Sequence, residues 1–178
     1  MGNPPVATAD AATITPDLAA FLQTGLIMFL GTRSADLTPT SVIATGLRVD
    51  GPQRITLFVA EAVGGPTFRN LSDNGEMAVT MSNVVDHRSI QIKGLRVVEG
   101  PASEIDRAYQ AQYMERLRAE LTMLGVPRSV AARVVWWPSR AIQMDVRDLF
   151  LQTPGANAGR RLEAGGGSLL RGAPSRLP

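Results

Sequence analysis

Residues 54–61 read Arg54-Ile55-Thr56-Leu57-Phe58-Val59-Ala60-Glu61. Ile55, Leu57 and Val59 alternate with Thr56, Phe58 and Ala60, so a strand here carries apolar or small side chains on both faces. Neither face suits open water, as in a barrel wall. Immediately upstream, residues 41–49 form a second strand-like run, and Asp50-Gly51-Pro52 separates the two. The Asp-Gly pair suits a turn that needs positive φ, which makes the runs an antiparallel hairpin.

Working outward, residues 26–31, 76–81, 88–99 and 141–146 supply four more strands, with a polar turn over residues 34–37. In the longest, Ile90 and Ile92 alternate with Gln91 and Lys93 until Gly94 interrupts the pattern, where a β-bulge is expected. Six short strands with tight turns predict a mainly β fold, a small antiparallel barrel with α insertions. Thr15-Pro16-Asp17-Leu18 sets a capping hydroxyl, a proline and an acid in helix-start order. A short helix follows to about Thr24, with Leu18, Phe21 and Leu22 on one face. Before the last strand, residues 103–124 predict a longer helix. Ser103 and Asp106 resemble a capping box, Ile105, Tyr109, Leu117, Leu121 and Leu124 form its apolar stripe, and Gly125 and Pro127 end it.

The 178 residues suit one domain. We divide them into a flexible arm at 1–14, a barrel domain at 15–152 and a mobile Gly/Pro/Arg-rich tail at 153–178. The pI of about 9.7 suggests nucleic acid, but residues 160–178 hold four arginines against Glu163, leaving 14 basic and 15 acidic residues elsewhere. The body is balanced, so no nucleic-acid partner is expected. There is no cysteine and a single histidine, His87, which reads as a turn residue beside Asp86. Thiolate chemistry is excluded, no metal site is expected, and any difficult chemistry is a cofactor's. The first ten residues lack the pattern of a signal peptide, and the longest apolar run is too short to span a bilayer. A cytoplasmic protein without a membrane partner is the expectation.

Three local patterns add a resemblance. Thr67-Phe68-Arg69-Asn70-Leu71 with Asn74-Gly75 and Met77-Ala78-Val79-Thr80 is similar to the basic-residue, Asn-Leu, Asn-Pro, strand segment of pyridoxamine 5′-phosphate oxidase-like FMN-binding split-barrel proteins. Arg88-Ser89-Ile90-Gln91-Ile92-Lys93-Gly94 resembles that family's Arg-Gln-Val-Arg strand, and residues 26–32 before Leu37-Thr38-Pro39 resemble its opening strand and turn. The resemblance covers residues 15–150 and implies a six-stranded split β-barrel, a homodimer, and FMN held between two barrels. Basic and hydroxyl side chains would hold the phosphate, and backbone amides the ring edge.

Carried onto this chain, the implied cofactor-binding residues are Ala44, Thr45, Gly65, Thr67, Arg69, Arg88, Ser89, Gln91, Trp136 and Arg140. Residues 64–69 form the candidate phosphate cradle, with Arg69 and Arg88 as the foremost cations. Two positions depart from the family. Thr67 stands where a phosphate-binding lysine is usual, and Ser89 where glutamine follows the strand arginine. With one lysine against 17 arginines, a charge-assisted phosphate grip falls to arginine. Ala44-Thr45-Gly46 reads either as a ring-edge contact or as a barrel bend. No catalytic residue stands out. The resemblance implies an FMN-dependent oxidoreductase acting on a small-molecule substrate. The alternative is a non-catalytic split barrel binding flavin, haem or another small ligand.

Overall fold

The computed structural model describes residues 12–162. Its strands are β1 (Ile27–Arg33), β2 (Pro39–Ala44), β3 (Gly46–Gly51), β4 (Arg54–Ala60), β5 (Glu76–Ser82), β6 (Ser89–Pro101) and β7 (Ser139–Leu151). The helices are α1 (Pro16–Leu22), α2 (Glu61–Asp73), α3 (Glu104–Met123) and α4 (Arg128–Ala131). All seven strands belong to one antiparallel sheet in the order β2-β1-β5-β6-β7-β4-β3.

The run at residues 41–49, read as one strand, is two. Residues up to Ala44 pair with β1, residues from Gly46 pair with β4, and Thr45 is the hinge. β2 and β3 are therefore the two edges of the sheet, joined by a single residue, so the sheet must curl until its edges meet. Thr45 crosses the seam, its N–H donating to the Phe58 carbonyl at 2.7 Å. β2 lies beside β4 there without pairing to it. The result is a split barrel. β4 runs through its wall with Ile55 to Ala60 all buried, as its two-sided apolar pattern requires.

The hairpin turn sits one residue later than read. Gly51 keeps a negative φ, and a register shift between Val49 and Gly51 takes up the bend. On β6 the expected bulge is present, with the register against β7 slipping between Lys93 and Gly94. A Cβ on Gly94 would lie 2.0 Å from the Asp145 carbonyl oxygen, so only glycine lets the two strands approach there.

The α1 start follows the sequence reading, Thr15 Oγ1 accepting from the Leu18 N–H at 3.3 Å. In α3 the Ser103–Asp106 capping box is complete. The α3 stripe is shifted from the one read. Gln110, Tyr113, Met114 and Leu117 are buried, whereas Ile105 is 81% exposed and Leu124 52% exposed. Two side-chain hydrogen bonds accompany this phase. The Tyr113 hydroxyl accepts from the Leu26 N–H at 2.9 Å, and the buried Gln110 oxygen accepts from Ser139 Oγ at 2.9 Å. At Gly25, φ is +106°, and an added Cβ would lie 2.8 Å from the Leu117 nitrogen, so glycine admits α3 at this crossing.

The first and last described residues are more engaged than expected. Ala12 and Ile14 are buried, and the Ile14 N–H donates to the Pro52 carbonyl at 2.7 Å. After β7 the chain folds back rather than leaving as a tail. Leu162 is buried and donates its N–H to Leu149 at 2.8 Å, while Arg161 pairs with Asp148 at 2.5 Å. The Gly-Ala-Asn-Ala composition of residues 155–158 reads as loose, but it serves a reversal that brings Leu162 onto the core. The rest of the expected tail, residues 163–178, and the arm through residue 11 lie outside the described residues.

Candidate functional site

The run Gly64-Gly65-Pro66, read as a backbone cradle, lies inside α2. Its geometry is helical rather than that of a glycine-rich loop, because α2 has an interior face that needs small residues. Gly64, Thr67, Asn70 and Leu71 are buried at spacings of three and four. Asn70 Nδ2 donates to Thr32 Oγ1 at 3.1 Å and ties the helix to β1. A Cβ on Gly64 would lie 2.3 Å from Phe68 Cζ and 2.9 Å from Val59 Cγ1, so the missing side chain is the space into which Phe68 packs.

Helical geometry also separates two expected partners. Thr67 and Arg69 are two positions apart, about 200° around the axis. Thr67 is fully buried, its hydroxyl without a hydrogen-bond partner, and Arg69 is exposed. The two cannot grip one phosphate together, which corrects the joint cradle. Gly65 shares the outer face with Arg69, whose Nη1 would stand 3.7 Å from a Gly65 Cβ.

Arg69 and Arg140, distant in sequence, meet in one cleft of about 530 Å³, lined also by Phe68, Ser72, Asp73 and Glu99. Arg140 enters because β7 begins at Ser139 and pairs with the end of β4, which leads directly into α2. Its guanidinium carbon stands 5.0 Å from the Phe68 ring centre, and its Nε lies 2.9 Å from the nearly buried Glu99 carboxylate. Arg69 has no ion pair or hydrogen bond from its side chain among the described residues, so it is the available cation of this cleft. Asp73 and Glu99 oppose it in sign. The donor set therefore fits an anion at the Arg69 side only, beside an aromatic wall. The sequence reading included Phe68 in the cradle at residues 64–69 but not as an aromatic wall, and it missed Glu99. The Gly64/Phe68 spacing of four could have indicated the ring, whereas Glu99 becomes visible only through the shifted register of β6 and β7.

The other expected residues lie elsewhere. Ala44 and Thr45 are buried at the strand switch, where they form the bend. Arg88 stacks on Phe21 at 4.9 Å and pairs with Asp86 at 2.7 Å. Ser89 Oγ lies 2.7 Å from Ser82 Oγ, and Gln91 Nε2 donates to Thr80 Oγ1 at 2.9 Å. His87 has φ +59° in the turn before them, as its reading beside Asp86 anticipated. Gln91 and Glu99 are eight residues apart on β6, about 26 Å along a strand. Within this chain, Arg88, Ser89 and Gln91 do not join the Arg69 cleft. Trp136 is half-buried against Trp137, with ring centres 6.4 Å apart, in the connection leading to β7.

One further face stands open. The register aligns Ile43, Phe29, Thr80, Gln91 and Phe150 in a row across β2, β1, β5, β6 and β7. Phe29 is 48% and Ile43 40% exposed. Beside this row, Ser41, Gly31, Ala78, Lys93 and Asp148 form a second one, which includes two small residues. Among the described residues no group of three or more histidines or acids could hold a metal ion, and no helix is long and apolar enough to cross a membrane.

No protein-family model matches this chain, and no curated protein matches it. Among solved structures, HupZ of Group A Streptococcus is 18% identical, with a TM-score of 0.50 over 82% of this chain and 99% of that one. A structure named F420 reductase is 15% identical, with a TM-score of 0.49 over 73% and 93%. A candidate pyridoxamine 5′-phosphate oxidase of Lactobacillus delbrueckii is 14% identical, with a TM-score of 0.49 over 79% and 96%. At these identities the likeness shows fold alone, and the first match carries it. The chain has a mainly β, antiparallel split-barrel fold with helical insertions.

Proposed function

We propose that the protein is a flavin-binding split barrel of the pyridoxamine 5′-phosphate oxidase-like kind, a homodimer that binds FMN and acts as an oxidoreductase on a small molecule. The observation that carries this reading is the convergence of an unpartnered Arg69 with Arg140 and Phe68 in one cleft beside α2. Arg69 would hold the phosphate through charge-assisted hydrogen bonds, and the Phe68 face with Arg140 would wall the ring. Bound flavin supplies the redox chemistry, while the chain orients the ligand and excludes water.

The open row from Ile43 to Phe150 is the surface we assign to the second subunit. Its exposed Phe29–Ile43 pair and small neighbours give a flat, partly apolar contact of the kind a two-fold interface buries. In this arrangement Arg88, Ser89 and Gln91 would approach the cofactor from the second subunit. Trp136 is assigned to the same shared site. One observation favours the second reading, a binding protein without turnover. The hydroxyl in the usual lysine position, Thr67, faces the interior and gives the ligand no grip.

The absorption spectrum of the purified protein, with heat release and identification of any chromophore, tests the proposal. A flavin spectrum releasing FMN from a dimer is the expected result. Failure to bind added FMN rejects it, and a Soret band replaces it with haem binding.

A further inference from the structure

We propose that the connection between α3 and β7 docks on an anionic lipid surface. Four large apolar side chains stand exposed within 13 residues: Met123 at 71%, Leu124 at 52%, Val130 at 48% and Val135 at 51%. Nothing in the described chain covers them, although the connection is anchored. Gly125, at φ +87°, follows the end of α3, and the 3%-exposed Ala131 holds α4 to the body. Residues 121–137 include Arg128 and Arg133 and no acid. The Arg128 side chain is 79% exposed, and its one ion pair, to Glu115 at 3.5 Å, is in open solvent. Arg133 is exposed, with no side-chain partner among the described residues.

Exposed aliphatic residues interspersed with arginine match the chemistry of a membrane interface. Apolar groups enter the acyl boundary there and arginine meets phosphate. Charge decides against a second copy as the occupant. A two-fold contact through this patch would set Arg128 and Arg133 of one copy against those of the other, and the one acid that reaches the patch, Glu115, already faces Arg128 within its own chain. The absence of a spanning segment, which led to the expectation of no membrane partner, has no bearing on a surface that docks without crossing.

Flotation of the full-length protein with vesicles of phosphatidylcholine plus phosphatidylglycerol, against phosphatidylcholine alone, tests the assignment. Tryptophan emission provides a second readout, because both tryptophans of the chain adjoin the patch. Binding should require the anionic lipid, weaken with salt and shift the emission to the blue. Each basic residue near such a surface is worth about a factor of five, so Arg128→Ser/Arg133→Ser should bind about 25-fold more weakly. Leu124→Ser/Val130→Ser should also bind more weakly. If a variant loses thermal stability, the salt dependence of wild-type binding decides. The assignment is overturned by no flotation, by equal binding to neutral vesicles, by binding insensitive to salt or to both variants, or by variants that only dissociate a dimer.

Discussion

Replacing Gly94 by alanine isolates the bulge that sets the β6–β7 register. In an ordinary strand this change stabilises by roughly 0.5–1 kcal/mol, because glycine carries more unfolded-state entropy. Here the new Cβ would sit 2.0 Å from the Asp145 carbonyl oxygen, 3.0 Å from its carbon and 2.8 Å from Met144 Cε. Met144 can yield, but the carbonyl belongs to the partner strand, so the ladder must open. Overpacking costs about 1–3 kcal/mol, and each ladder hydrogen bond lost about 1 kcal/mol more. The net expectation is a loss of about 3 kcal/mol, or a melting temperature lower by about 6–12 °C for a chain of this size. Gly100, on the same strand, is the control, since an added Cβ there meets nothing within 4 Å. Urea unfolding of wild type, Gly94→Ala and Gly100→Ala gives the comparison. Equal stability of the two variants would refute the bulge and the register built on it.

Leu162→Ser should cost about 2 kcal/mol in urea unfolding, because the side chain is buried with the core; a neutral result would return residues 153–162 to a loose tail. Tyr113→Phe should cost about 2 kcal/mol by leaving the buried Leu26 N–H without its acceptor, measured the same way. Burial raises the Tyr113 hydroxyl pKa above its unfolded value near 10, so its contribution is complete below about pH 10 and falls as pH rises further. Wild type should therefore lose stability above about pH 10 more steeply than Tyr113→Phe. Asp106 titrates the opposite way. Burial would raise its pKa, but the Ser103 backbone and Arg48 outweigh that and hold it low. Its contribution is present above about pH 4 and is lost as acid protonates it, a slope that Asp106→Asn should flatten.

The features legible in the sequence were those written in a few adjacent residues. Thr15-Pro16 gave the α1 start, Ser103 with Asp106 the α3 cap, and Gly94 the bulge. The apolar pattern on both faces of residues 55–60 gave the barrel wall. What stayed hidden depends on contacts far away in the chain. The break at Thr45 leaves no mark in strand alternation, because both halves remain extended and only their partners change. Gly64-Gly65-Pro66 looks like a loop by propensity, yet the space for Phe68 and the Asn70–Thr32 bond make it helix. The site divides the same way. Arg69 and Arg140 were identified and are brought together, whereas Thr67 was paired with Arg69 through a two-residue spacing that a helix turns apart.

Arg69 carries the ligand claim, and one pair of titrations tests it most directly. FMN and riboflavin differ by the phosphate, so removing a cation that contacts the phosphate penalises FMN alone. The account predicts that Arg69→Ala weakens FMN about tenfold, or ~1.4 kcal/mol, the lower end for a charged hydrogen bond because Arg69 is exposed. Riboflavin affinity should stay unchanged within a factor of about two. Equal weakening of both ligands, or wild type that binds neither, would contradict the account.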